Sequence, residues 1–237
     1  VQDANEFKQL NKTARALGNF YADLTLAEGL NFKSSVGIDY YQVKEQSFSS
    51  KDIKRGESNG GSASVGTVDG YTWLWENTLN YNRRFGTQHQ LNAVAGMTVQ
   101  AFEGQNLAVA NSEFNDGRLG YYAIQAGARR QITNSGYSGW QMLSYLARAN
   151  YSYANRYLVT LTGRVDGSSK FGANNRYGFF PSAAVAWRAS EEQFLQDWES
   201  LSDLKIRVGY GVVGNEGIPP YSSQGLLLNM EAYIGDS

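Results

Sequence analysis

Cysteine is absent from the 237 residues, histidine occurs once and proline three times. The missing thiols exclude a disulfide framework, thiolate zinc sites and a cysteine nucleophile. The lone imidazole, His89, excludes a histidine cluster and gives no basis for a Ser-His-Asp centre. Neither charge sign is in excess: 21 Lys and Arg stand against 22 Asp and Glu, a formal net charge of −1. That balance supplies no basic field for nucleic acid and no polybasic patch for a membrane surface. Charged residues make up 18%, below the usual ~25%. No run reaches the ~18 apolar residues of a membrane helix, and mean hydropathy is −0.45. A membrane barrel stays open, because alternating faces hide from hydropathy.

What is plentiful points one way. Aromatics are 14%, with 16 Tyr, and there are 26 Gly. Low charge with many Gly and Tyr suits a strand-rich chain facing two media, and argues against disorder. At ~100–200 residues per domain, the length allows one or two domains, or a fragment of something larger. The chain starts at Val1 without a leader pattern and stops at Gly235-Asp236-Ser237, so both ends are expected to be cuts.

The dominant period is 2. From Ala14 to Ala27, Ala16, Gly18, Phe20, Ala22 and Leu24 share one face, opposite Arg15, Asn19 and Asp23. A helix would not separate them so. Residues 30–47, 89–101, 157–165, 179–189 and 203–213 repeat the pattern. In 89–101, Leu91, Ala93, Ala95, Met97 and Val99 oppose Gln90, Asn92, Thr98 and Gln100. Segments 70–83 and 140–153 are more aromatic and less regular. Eight strands result, with a weak ninth near 224–234.

A soluble sheet wetted on one face would alternate too. The connections separate the cases. Short joins at 28–30, 84–88 and 154–156 alternate with long polar ones at 49–69, 102–138 and 166–178. Outer-membrane barrels place short turns at one end and long loops at the other. Strands of ~11–15 residues exceed the ~9–11 needed to cross. Aromatics such as Tyr71, Trp73, Trp75, Tyr81, Tyr151, Tyr153 and Tyr157 gather near strand ends, where interfacial girdles want them.

Few segments suggest chemistry. Residues 190–202 predict a short helix with Ser190 and Gln193 as a capping box and Phe194, Leu195 and Trp198 on its apolar side. Adjacent Glu191 and Glu192 fit the helix start better than acid–base catalysis, because neighbouring helical residues do not converge on one bond. Gly209-Tyr-Gly-Val-Val-Gly214 has dinucleotide spacing, yet Asn215-Glu-Gly-Ile-Pro-Pro220 cannot start the required helix. The sequons at Asn11 and Asn150 are read as chance, and His89 as a solvated turn residue. The polar run Asp166–Gly178 fits a tight loop held by ion pairs and backbone hydrogen bonds. The 102–138 loop combines Phe102, Phe114, Tyr121, Tyr122 and Tyr137 with amides and carboxylates, a mixture suited to a sugar or peptide.

One stretch carries a family likeness. Tyr157-Leu-Val-Thr-Leu-Thr-Gly-Arg-Val-Asp166-Gly-Ser-Ser-Lys-Phe-Gly, followed by Phe179-Phe-Pro-Ser and Ala186-Trp-Arg-Ala-Ser-Glu191-Glu-Gln-Phe194, resembles the signature barrel segment of SusC-like, TonB-linked outer-membrane receptors. Ser202-Asp-Leu-Lys-Ile-Arg207-Val-Gly-Tyr210 continues it, and Glu76-Asn-Thr-Leu-Asn-Tyr81 fits the same family. The likeness is strong over about 140–221 and moderate over 13–101, and 102–138 shows none. It implies a barrel of ~22 strands plugged by an N-terminal domain. It also implies energy from a TonB complex and a SusD-like surface lipoprotein that lids the barrel. The usual cargo it implies is an oligosaccharide, with peptides in some members. The signal peptide, TonB-contacting segment, plug and closing strand of that pattern are expected to lie outside this stretch.

The expectation is therefore an all-β fold: an antiparallel transmembrane β-barrel segment of about eight or nine strands, with one short periplasmic helix. Residues 1–237 form part of the barrel domain, with extracellular loops at 49–69, 102–138, 166–178 and 214–223. Its action is expected to be binding and gated passage without catalysis, cofactor or metal. Expected partners are the lipoprotein, the TonB complex, an oligosaccharide or peptide ligand and outer-membrane lipid, and no nucleic acid. Candidate ligand contacts are Phe114, Asn115, Asp116, Tyr121 and Tyr122, chosen on loop position and aromatic-plus-polar content. Two alternatives stand beside it. One is a complete eight-stranded barrel acting as adhesin or anchor. The other is a soluble glycan hydrolase, which needs two carboxylates ~5–9.5 Å apart.

Overall fold

The computed structural model describes residues 6–172, 174–196, 202–215 and 217–222, without the side chains of Ile132 and Gln196. Eight strands run in chain order: β1 (Phe7–Ala27), β2 (Leu30–Ser49), β3 (Ser62–Phe85), β4 (His89–Phe114), β5 (Gly127–Tyr153), β6 (Tyr157–Ser168), β7 (Tyr177–Arg188) and β8 (Lys205–Gly211). They form one antiparallel sheet in the order β1 to β8. Each of the eight sequence segments is a strand. Among the described residues β1 and β8 do not pair, so the closed eight-stranded barrel is not formed. The weak ninth strand lies outside the described residues.

Register explains the two faces. In-register rows such as Tyr81–Ala93–Ala149–Leu161–Ala183–Tyr210 and Leu79–Ala95–Ala147–Gly163–Pro181 cross six and five strands respectively. All these residues share one face. The opposite face carries rows such as Tyr21–Ser35–Glu76–Thr98–Ser144–Asp166. Large apolar side chains remain exposed on the first face: Phe20 at 76%, Val208 at 66% and Tyr210 at 78%. An apolar face this wide needs a hydrocarbon partner.

The apolar band has a fixed height. It runs from Leu30 to Tyr40 on β2, from Tyr71 to Tyr81 on β3 and from Leu91 to Ala101 on β4. At ~3.3 Å per residue that is ~33 Å along the strand. With a strand tilt of ~40°, it becomes the ~25 Å expected of a membrane-crossing barrel.

The short-turn end is tightly specified. Gly29 adopts φ +75° between β1 and β2, where a Cβ would run into the carbonyl of Asn82. Its own carbonyl accepts from the Asn82 N–H at 2.7 Å. Ala154 and Asn155, at φ 51° and 55°, make the β5–β6 turn with both central residues left-handed. His89 sits beside the β3–β4 turn, with Nδ1 2.6 Å from the Tyr151 hydroxyl.

The far end departs from expectation. The loops read at 49–69 and 102–138 are largely strand: β2 and β3 extend to Ser49 and Ser62, β4 to Phe114, and β5 starts at Gly127. What remains are a one-turn helix α1 (Lys54–Glu57) and the segment 115–126 with a 3-10 stretch, Gly120–Ala126. Polar composition at these positions marks strands without a continuous apolar face, which alternation cannot distinguish from loop. β6 and β7 stop at Ser168 and Tyr177, so β2–β5 stand well above them.

Within the expected helix over 190–202, the described residues form a 3-10 turn (Ala189–Glu191) and one helical turn, α2 (Gln193–Gln196), and 197–201 lie outside the described residues. The Ser190 hydroxyl donates to Asp203 at 3.3 Å instead of capping a helix. Glu192 accepts from Tyr157 and Trp187. Trp198 lies outside the described residues.

Candidate functional site

Mid-strand polar residues on the non-apolar face build a wetted wall. Arg15 donates twice to Asp39, at 2.9 and 2.6 Å, across β1 and β2. Arg164 Nε sits 2.7 and 2.8 Å from the two oxygens of Asp166, and its Nη2 is 3.4 Å from the Ser144 hydroxyl. Arg148 donates to Thr162 and Thr160 to Asn150. These pairs satisfy one another and leave the wall hydrophilic without a charge excess.

A small apolar cluster sits at the upper end of the sheet. Phe48, Ala63, Phe114 and Tyr121 are buried, and Leu10, Val65 and Ile124 pack against them. The Phe48 and Phe114 rings meet edge-on at 5.8 Å. Gly117 and Gly120 lie against the Phe48 ring, where an added Cβ would crowd it. The segment 115–126 is thereby folded over the strand ends. Asn111 anchors it by donating to the Ile124 carbonyl at 2.8 Å.

This placement separates the five sequence candidates. Phe114 and Tyr121 are 4% and 9% exposed and belong to the cluster. Tyr122 is 74% exposed, with its ring centroid 4.7 Å from that of Tyr121. Asn115 and Asp116 line a recess of about 440 Å³ with Lys8, Ser50, Lys51 and Arg118. The Arg118 guanidinium, donating to both Asp116 oxygens, holds that carboxyl down at about 2, helped by the Arg118 N–H and by Lys51. Asp116 is therefore an ion-paired acceptor, not a proton donor.

A second recess, about 290 Å³, lies at the top of β6 and β7. Asp166, Ser168, Asn175, Arg176 and Asn215 bring polar groups to it, and Phe180 forms its apolar side. Sequence reasoning missed it because Asn215 meets Asp166 only through the fold. The Gly-x-Gly-x-x-Gly run is explained here. Gly211 faces Ser182, where a Cβ would come within 2.9 Å, and Gly214 lies under the Phe180 ring. No helix follows among the described residues. Among those residues no group of three or more His, Asp or Glu side chains comes close enough to hold a metal ion.

Comparison with known proteins accounts for the two-faced sheet. No family model matches the chain. It is 37% identical over 232 residues to the TonB-dependent receptor P26 of Formosa agariphila, covering 95% of this chain and 23% of that protein. It is 34% identical over 218 residues to the TonB-dependent receptor P3 of the same organism, 92% of this chain and 22% of that protein. Over 77 residues, 32% of this chain and 8% of the relative, it is 53% identical to the TonB-dependent receptor SusC of Bacteroides thetaiotaomicron. The solved RagAB peptide transporter superposes with a TM-score of 0.86 at 24% identity, covering 94% of this chain and 25% of that one. The chain thus spans about a quarter of the length of the proteins it matches. The curated relatives are named as receptors, and the sheet described above shares its fold with the RagAB transporter. The chain belongs to the SusC-like, TonB-dependent receptors of the outer membrane and forms part of their β-barrel.

Proposed function

We propose that the receptor containing this segment imports a nutrient across the outer membrane by binding and gated passage, without covalent chemistry. The observation that carries this is the pairing of a ~25 Å apolar band with a polar opposite wall in a chain whose relatives are TonB-dependent receptors. The short turns face the periplasm. The tall β2–β5 end, with 49–69, 102–138, 166–178 and 214–223, faces outward. Energy comes from a TonB complex through parts of the receptor outside this segment, and a SusD-like lipoprotein covers the outer end.

The cargo is an oligosaccharide. Exposed Tyr122 offers a stacking face, and Asn115 and Asp116 beside it offer hydrogen-bond groups for hydroxyls. Phe114 and Tyr121 support that surface from beneath. Deleting the gene for the full-length receptor should abolish growth on the cognate oligosaccharide as sole carbon source, with rescue by the intact gene only when TonB is functional. Unchanged growth on every oligosaccharide and peptide tried would reject import. A defect confined to peptides would replace the sugar, in line with the peptide transporter whose fold this sheet shares. Tyr122→Ala should weaken sugar binding about tenfold, or ~1.4 kcal/mol.

A further inference from the structure

β5 has a partner on both sides only in its lower part. It pairs with β4 from Tyr153 to Gly127, but with β6 only from Tyr153 to Met142. Above Met142, one edge of β5 has no neighbouring strand among the described residues. Two groups at the base of this edge show which way its polar atoms point. The Gly139 N–H donates to the Tyr221 hydroxyl at 3.2 Å, and the Gln141 N–H donates to Ser169 Oγ at 2.8 Å. The Gln141 carbonyl accepts from the Ser169 N–H at 2.9 Å. In an antiparallel ladder this orientation repeats every second residue. Tyr137, Ser135 and Thr133, opposite Gln105, Leu107 and Val109, therefore also aim N–H and C=O away from β4. All three residues are exposed.

Among the described residues this edge lacks the usual protections. Residues Gln131–Ser138 contain no charge and no proline. The register shift opposite Ala110 and Asn111 and the charges of Arg129 and Arg130 lie only at the tip. Arg129 reaches Glu113 at 3.9 Å, while Arg130 has no ion-pair partner among the described residues. An unprotected edge of this kind is a template for another strand.

We propose that the β5 edge from Gln131 to Ser138 is a β-augmentation site for an extended peptide carrying an acidic residue. Donors and acceptors repeating every ~6.6 Å match a polypeptide backbone, whereas sugar hydroxyls have no such repeat. The edge is long enough for about seven residues. Arg130 supplies charge complementarity for the acidic side chain near the tip. Tyr221 and Ser169 close the base, so the peptide enters above Gly139. The site is independent of what the receptor imports.

The test uses the full-length receptor, purified from outer membranes in detergent. The probe is a fluorescent peptide, Thr-Val-Glu-Val-Thr-Val-Glu, and the same peptide N-methylated at alternate amides. Exchange of the outward amides of Thr133, Ser135 and Tyr137 should be fast in the free receptor and slow about tenfold with saturating peptide, while the alternate amides bonded to β4 are slow in both. Ser135→Pro, and independently Thr133→Pro, removes one outward N–H and should weaken binding at least tenfold. The N-methylated peptide should not bind. Slow exchange of those outward amides without peptide would overturn the proposal, since it would show the edge already paired. Equal binding of the two peptides, or binding without protection of those amides, would overturn it as well.

Discussion

Tyr157, the first residue of β6, donates its hydroxyl to Glu192 Oε1 at 2.6 Å. The same carboxylate accepts from Trp187 Nε1 at 3.1 Å and from Arg156 Nη1 at 3.3 Å. One side chain in the connection after β7 thus clips the β5–β6 turn and the end of β7 together. The Tyr157 hydroxyl, then the Trp187 N–H and then Arg156 hold the Glu192 carboxyl below the ordinary carboxylate range. Its folded pKa lies below its unfolded one. The clip is therefore fully stabilising above the ordinary carboxylate pKa and is lost as pH falls through the lowered value. Thermal unfolding of the receptor should show a lower Tm for Glu192→Gln than for wild type at pH 7. The difference should shrink on acidification below the ordinary carboxylate range. A gap that widens in acid would contradict this.

The two faces of the sheet predict opposite responses to one chemical change. Ala95 lies mid-band on the apolar face, and Thr98 lies on the polar one. Ala95→Lys should cost ~2–4 kcal/mol, the penalty for a lysine near the bilayer midplane. Thr98→Lys, at a half-buried position paired with Glu76 and Ser144 on the polar wall, should cost clearly less than Ala95→Lys, because no charge is placed in hydrocarbon. Urea titration of the receptor refolded into lipid vesicles measures both.

The Phe48–Phe114 contact should govern the outer end alone. Phe114→Ala removes a buried ring and should cost the local cluster about 3–5 kcal/mol. Limited proteolysis should then cleave within 115–126, while Tm of the barrel stays near the wild-type value. Cleavage at the short turns instead would show that the cluster is not a separate unit.

Rings lying over glycines form another set of testable pairs. Phe180 covers both Gly178 and Gly214, and Tyr177 covers Gly167. Gly178→Ala would place a Cβ 2.6 Å from the Phe180 ring, at Cζ. Outer-membrane assembly yield should fall for this variant. It should recover in the double variant with Phe180→Leu, whose shorter side chain vacates the site. A yield that falls further in the double variant would argue against steric crowding as the cause.

The transmembrane part was legible because a bilayer imposes a rule that each strand repeats. Leu91 to Val99 alternate cleanly, and the structure pairs them as that alternation requires. Turn chemistry marked the ends, as at Gly29 and Asn155. Above the band the rule lapses. Strand segments such as Gln105–Ala110 mix polar and apolar residues on both sides, so period 2 fades and they read as loop. Phe114 and Tyr121 looked like ligand contacts because aromatic residues in a polar stretch are rare. What buries them, Phe48 and Ala63, lies tens of residues away in sequence. Single-strand patterns cannot show that partner. The edge of β5 that has no neighbouring strand among the described residues was hidden for the same reason, since it depends on β6 ending at Ser168.

The apolar band is counted from the short turns, whereas strand height above it differs from hairpin to hairpin. Position in the bilayer and outward reach are thus set by separate stretches of the same strands. Adding two residues to each arm of the β4–β5 hairpin above Phe102 and Trp140 would lengthen the wall and keep every side chain on its face. Adding one would turn the tip over while the buried part stayed seated. A scaffold of this kind can remodel what it presents to its surroundings in steps of a residue pair, at no cost to how it is anchored.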